Sequence, residues 1–318
     1  MAAGKSSGYQ RTGARLKRLA KWFVSIFFIL IITCGIAFWL RPLSVFRVFN
    51  QAQMYFIGAR SSFIEVGEYR IHYYSLGPAD GPVAVLVHGL GGRSEDWGKL
   101  APYLARAGYR VYLPDLPGYG QSDKPADFSY SVKDEAAVVS GFFDALGLKQ
   151  VDLGGWSMGG WIVQLVAAEH PERIRKLMLL DSAGLYVKPE WDLKLFTPVS
   201  PAELEKFDAL LMPHPPQLPT FIANDILRTS HEHAWIIRRA IDSMLTGRDT
   251  TDALLPTLKM PVLIVWGEVD QITPLSQGQK MHQLIPQSQM NIVPGCGHLA
   301  PNECAGEIGP AMVSFLKQ

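Results

Sequence analysis

The chain lacks any surplus of charge: 30 basic and 29 acidic side chains leave a formal net charge of +1 over 318 residues. A polyanion partner therefore has nothing to bind, and nucleic acid is excluded as an expected ligand. Cysteine is scarce as well. Cys34, Cys296 and Cys304 fit neither a zinc pattern nor a disulfide framework, and they read as thiols that fill space. A bridge between Cys296 and Cys304 stays open if that part of the chain faces an oxidising compartment. His231 and His233 form an H-x-H pair without a third ligand at metal spacing, so they read as surface or packing residues, and neither a metal nor a cofactor is expected. Internal repeats and low-complexity tracts are missing. A chain of this length buries enough core to fold without disulfides or metals.

Against these absences stands one long apolar run. Trp22 to Leu40 is nineteen residues without a charge, and a helix of that length rises about 28 Å, close to the hydrocarbon thickness of a bilayer. Lys5, Arg11, Arg15, Lys17, Arg18 and Lys21 precede it with no acidic residue between them, whereas Arg41, Arg47 and Arg60 follow. This asymmetry predicts a basic tail over 1–21 in the cytoplasm, a transmembrane helix over 22–40 and the remaining chain outside the cytoplasm. Trp22 and Trp39 stand near the two ends, where amphipathic rings prefer the interface. A cleaved signal peptide has a shorter apolar stretch and a small-x-small site, and neither is found here. An acylated Cys34 is disfavoured by Thr33 before it. A buried core helix is disfavoured by apolar residues all round. The segment 41–60 mixes aromatic and aliphatic residues with scattered polar ones. It fits an amphipathic connector lying on a membrane, or equally a linker helix packed on the next domain.

From residue 61 to 318 the pattern is that of a sheet protein. Eight strand candidates appear near 63–66, 69–74, 82–88, 111–113, 151–153, 177–180, 262–265 and 290–293. The first two form a hairpin, and the later ones alternate with helices near 95–107, 132–146, 159–169, 276–284 and 308–316. Such alternation implies an α/β fold, a mostly parallel eight-stranded sheet flanked by helices. Between about 183 and 258 no buried strand is evident, so this stretch reads as an inserted helical cap. Leu210, Leu211, Met212, Leu218, Phe221 and Ile222 are its candidates to face a pocket.

The chemistry-bearing signal is Gly155-Trp156-Ser157-Met158-Gly159, directly after a strand candidate and directly before a helix. A nucleophile on a tight strand-to-helix turn needs small residues on either side, and the helix start offers unpaired N–H groups to developing negative charge. Serine needs a base, and the base an orienting acid. His298 follows the last strand candidate in a loop, and Asp270 follows the strand near 262–265. The order Ser157, Asp270, His298 is the one expected for such a fold. Asp181, which also ends a strand, and Glu268 compete for the acid's role, while Asp115 fits a turn-pinning residue. The expected oxyanion donors are the backbone amides of Met158, just after the nucleophile, and Leu90, in His88-Gly89-Leu90-Gly91-Gly92. His88 reads as support for that loop.

Together HGLGG, DLPGYGQSD, GWSMGG, GEVD and GCGH resemble the α/β-hydrolase superfamily from about residue 62 to the end. Serine at the nucleophile position separates the chain from haloalkane dehalogenases and epoxide hydrolases, which carry aspartate there. The N-terminal apolar helix, the DSAG segment and the compact cap look like the membrane-anchored monoacylglycerol lipase group. That resemblance implies hydrolysis of lipid esters at a bilayer. The C–C hydrolases of aromatic ring-fission products look similar in GYGQSDKP and SMGG. They differ where this chain has Trp156 before the serine and Leu299 after the histidine. A hydrolase fold serving as a non-catalytic, membrane-tethered binding module is the remaining alternative, and its usual sign is a broken triad.

Overall fold

The computed structural model describes residues 6–318, so residues 1–5 of the expected tail, Lys5 included, lie outside the described residues. The chain divides into two compact units, one of residues 1–49 with 218–226, the other of residues 50–217 with 227–318.

In the first unit, helix α1 (Ser6–Leu40) carries the apolar run and helix α2 (Pro42–Phe56) begins after Arg41. Lys21–Leu40 has a mean hydropathy of 2.6 and is, among the described residues, the one helix long and apolar enough to cross a membrane. Its side chains are exposed almost throughout, which in water would be a standing cost for Phe23, Phe27, Ile29 and their neighbours. Proline opens α2, where its missing N–H would have had no intrahelical acceptor anyway. The next amide, of Leu43, donates to Asp225 Oδ2 at 2.9 Å. Trp39 stacks on Phe221 at 4.7 Å between ring centroids, and Phe38 meets Phe46 and Phe221 edge-on.

The second unit is built on a sheet of β1 (Arg60–Val66), β2 (Tyr69–Leu76), β3 (Val83–Val87), β4 (Arg110–Pro114), β5 (Val151–Trp156), β6 (Ile174–Leu180), β7 (Val262–Gly267) and β8 (Ser288–Val293). Strand order is β1-β2-β4-β3-β5-β6-β7-β8; β1 and β2 run antiparallel to their neighbours and the rest are parallel. Every residue of β5 and β7 is buried, as strands covered on both faces require. Strand β3 shows how the two faces divide. Val85 and Val87 join one apolar cluster, with residues of α4 (Val132–Ala145), α5 (Met158–Glu169) and α8 (Leu275–Leu284). Ala84 and Leu86 join the other, with residues of α3 (Ala101–Arg106) and α10 (Ala305–Lys317). Alternate side chains of one strand thus feed opposite cores. Because β4 and β5 lie on opposite sides of β3, the chain leaving β3 and the chain leaving β5 part at their carboxyl ends. Parallel sheets open a ligand crevice at such a point.

Two expectations change. The helix expected over 95–107 is split into a short turn, Ser94–Trp97, and α3, because Gly98 and Pro102 interrupt it. The last helix is preceded by a single turn, α9 (Ala300–Glu303). Between β6 and β7 no strand forms. The insertion holds α6 (Pro201–Leu211) and α7 (Thr220–Met244), and the first residues of α7 belong to the first unit. From the other direction, Met54 near the end of α2 is buried in the second unit, with its sulfur against Gly98.

Candidate active site

Ser157 stands between β5 and α5 with φ 57° and ψ −121°, a backbone region that side-chain-bearing residues rarely occupy and that costs on the order of 1–3 kcal/mol. Its neighbours hold it there: the Ser157 amide donates to Leu180 O, and Ser157 O accepts from the Ala183 amide, both at 3.0 Å. The flanking glycines are steric requirements. A Cβ on Gly155 would lie 2.2 Å from Gly159 O, and one on Gly159 would lie 2.2 Å from Val87 O.

His298 lies on the loop after β8, and its Nε2 is 2.9 Å from Ser157 Oγ. Its Nδ1 is 2.7 Å from Asp270 Oδ2. A proton on Nδ1 donated to that carboxylate leaves Nε2 free to accept the serine hydroxyl. Asp270 is itself fixed, because Oδ1 accepts from the amides of Ile272 (2.8 Å) and Thr273 (3.0 Å), and Oδ2 accepts from the Thr273 hydroxyl at 2.7 Å. The histidine backbone is anchored at both ends: its amide donates to Leu211 O at 3.0 Å, and its carbonyl accepts from Trp156 Nε1 at 2.8 Å. All three side chains are buried.

The other candidate carboxylates accept hydrogen bonds from backbone amides. Asp181 Oδ1 accepts from the Gly267 amide at 2.7 Å. Burial and the neighbouring Asp270 carboxylate push the Asp181 carboxyl well above the usual range. Glu268 accepts from the Gly295 amide at 3.1 Å. Asp115 accepts from the amides of Ser94 (2.6 Å) and Gln121 (2.9 Å), which ties two loops together. His88 donates from Nδ1 to Gly89 O at 2.8 Å and accepts from the Leu116 amide at 3.1 Å. Burial pushes its pKa down, so it braces the Gly89–Gly92 loop as a neutral ring.

Ser157, Leu90 and Met158 open onto a cavity of about 280 Å³. The Met158 amide is the first of α5 and has no carbonyl to reach within its own helix. The far wall is apolar, formed by Trp161, Leu185, Phe196, Ile241 and Met244 among others. None of the six cap residues expected to face a pocket lines it. Leu211 lies instead against the His298 loop, and Phe221 against Trp39. The sequence held a better signal: Ile241 and Met244 stand at i and i+3 on α7, the spacing of one helix face.

The space-filling reading of the cysteines is corrected for two of them. Cys296 and Cys304 form a disulfide with a Cα–Cα distance of 6.3 Å, and His298 lies inside the loop they close; Cys34 is free. Two elements, the β8 loop and the start of α10, bring together residues that spacing alone could not pair.

A strained serine at a strand-to-helix turn, a histidine and an aspartate in relay, and a crevice at the carboxyl edge of a parallel sheet define a hydrolase. The chain belongs to the alpha/beta hydrolase fold family, whose pattern matches residues 82–235 and 225–303. It is 30% identical over 285 residues to a 2-hydroxy-6-oxo-6-phenylhexa-2,4-dienoate hydrolase of Burkholderia cepacia, covering 80% of this chain and 96% of that protein. It is 28% identical over 261 residues to Lipase 1 of Psychrobacter immobilis, covering 76% and 79%. Among solved structures it resembles a bacterial membrane phospholipase A at 25% identity and a TM-score of 0.79, covering 94% of this chain and 98% of that one.

Proposed function

We propose that the protein is a serine-dependent carboxylic ester hydrolase that acts on lipid esters, in the manner of a monoacylglycerol lipase, while anchored in a membrane. The observation that carries this reading is the Ser157–His298–Asp270 relay opening on an apolar cavity. Ser157 Oγ attacks the ester carbonyl, and His298 takes the hydroxyl proton and hands it to the leaving alcohol. Asp270 steadies the imidazolium, and the Leu90 and Met158 amides hold the oxyanion. Water then enters, gives its proton to His298 and releases the fatty acid. The apolar wall suits an acyl chain. The lipase and membrane phospholipase relatives support a lipid ester, and α1 supports a protein that meets its substrate at a bilayer.

The basic tail supports a cytoplasmic N-terminus with the hydrolase domain on the far side. The Cys296–Cys304 bond supports the same side, since disulfides persist in oxidising compartments.

A second reading, a C–C hydrolase of ring-fission products, draws on the similarity to the Burkholderia cepacia enzyme. Its substrate is a charged dienoate, and the cavity wall offers such a substrate Lys188 as its cation. A single panel tests both: the full-length protein in mixed micelles, given monoacylglycerols of graded chain length, a phospholipid, short esters and a dienoate. Turnover peaking on medium or long monoacylglycerols, and lost in Ser157→Ala, supports the lipase reading. Turnover on the dienoate alone overturns it.

A further inference from the structure

A second serine, histidine and aspartate meet on the opposite side of the topological order, at the β1–β2 hairpin. In the register of that hairpin Phe63 faces His72 and Ser61 faces Tyr74, so Ser61 is the diagonal neighbour of His72 on one face of the sheet. Ser61 Oγ is 2.8 Å from His72 Nε2, and His72 Nδ1 is 2.8 Å from Asp115 Oδ2. The imidazole is fully buried, and the rings of Phe63 and Tyr74 meet it edge-on at 5.0 and 4.9 Å between centroids. Gln121 Nε2 also approaches His72 Nε2, at 3.2 Å. Burial alone would raise the Asp115 carboxyl, but the hydrogen bond from His72, the nearby His88 ring and the Gln121 and Ser94 amides hold it down at about 2. The carboxylate therefore keeps the His72 proton on Nδ1 and presents Nε2 as an acceptor to the hydroxyl of Ser61, an exposed residue.

We propose that Ser61 is a second nucleophile, a surface site that takes an acyl or phosphonyl group from activated donors. In the step, Ser61 Oγ forms a bond to the acyl carbon of an activated ester, or to the phosphorus of a fluorophosphonate. The phenolate or fluoride leaves to solvent, and the hydroxyl proton passes to His72 Nε2, where Asp115 holds the imidazolium. Ser61 sits within strand β1, with no helix N-terminus after it. Without preorganised oxyanion donors the attack is about a hundredfold to a thousandfold slower than at a serine that has them, and the acyl group, once on, leaves slowly. The site is one of stoichiometric modification rather than turnover.

Adjacent Ser62 is the built-in control. It lies one residue along the same strand, points to the opposite face, and pairs with Tyr73. Full-length Ser157→Ala is incubated with an alkyl fluorophosphonate and, separately, with a p-nitrophenyl alkanoate, and adducts are mapped by peptide mass spectrometry over time. Adduct growth at Ser61 at least tenfold faster than at Ser62 is expected, since a positioned base contributes about a hundredfold or more. Adduct at Ser61 no faster than at Ser62, with the protein folded by circular dichroism, overturns the proposal. In the parent protein, Ser61→Ala removes the slow adduct and leaves ester turnover within twofold. Site mapping also keeps this test apart from the Ser157 reading, which fails only if the fast adduct of the parent protein maps to a residue other than Ser157.

Discussion

The Ser157 relay and the Ser61 relay use the same three side-chain types at nearly the same distances, 2.9 and 2.7 Å against 2.8 and 2.8 Å. The backbone around them differs at every point. Ser157 occupies a strained turn held by glycine contacts, with a helix starting at the next residue and an apolar cavity in front. Ser61 lies in a regular strand with solvent in front. His298 is carried by a loop that a disulfide closes, and His72 by a strand paired on both sides. A hydrogen-bonded relay prepares a nucleophile, and donors aimed at the oxyanion turn preparation into turnover.

Removing each histidine in turn separates the two relays. His298→Ala is expected to lower kcat for the preferred ester by about ten-thousandfold or more. His72→Ala, assayed on the fraction that remains folded, should keep ester turnover within about tenfold, because it touches neither Ser157 nor the cavity lining. Initial rates with active-site titration read both. Equal losses in the two variants would mean that His72 feeds the Ser157 chemistry and that the sites are one.

The same contrast explains what was legible in the sequence. Ser157, Asp270 and His298 are far apart in the chain, yet each follows a strand at the carboxyl edge of one parallel sheet, so strand order alone brings them to one edge. Ser61, His72 and Asp115 depend on hairpin register and on the antiparallel pairing of β2 with β4. A one-residue slip would turn His72 to the other face, and no local pattern fixes that choice. The pocket wall escaped for a related reason. Cap helices carry apolar residues on several faces, and which face meets the cavity is decided by packing. Leu211 and Phe221 turned elsewhere, whereas Ile241 and Met244 turned in. The disulfide was open in the sequence because eight residues of separation say nothing of Cα distance.

How the two histidines are held gives the next test. Cys304→Ser opens the loop that carries His298 and leaves the hairpin that carries His72 untouched. In the chain-entropy view a closed loop this short is worth about 2 to 3 kcal/mol, and the midpoint of thermal unfolding should fall by about 5 °C in a domain of this size. Well below that midpoint kcat should also fall, by roughly tenfold with KM unchanged, because small displacements of a catalytic group are expensive in rate. A lower midpoint with unchanged kcat would show that the bond supports the fold alone and that hydrogen bonds from Leu211 and Trp156 suffice to place the ring.

The aspartate of the second relay ties the stability of the fold to pH. The folded pKa of Asp115, about 2, lies below the ordinary 3.8, so its ionised form stabilises the native state. That contribution is complete above about pH 4 and is lost as pH falls through about 2. Its size is about 2 kcal/mol, since each tenfold gain in acidity on folding is worth roughly 1.4 kcal/mol. Asp115→Asn also disturbs hydrogen bonds to Ser94, Gln121 and His72, but that part of its cost is the same at every acid pH. Denaturant unfolding of parent and variant at pH 5 and pH 2 therefore isolates the titration. The parent should lose about 2 kcal/mol more than the variant between the two pH values. Parallel losses would mean that Asp115 is no more acidic in the folded chain than in the unfolded one, so that the hydrogen bonds from His72, Ser94 and Gln121 only offset the cost of its burial.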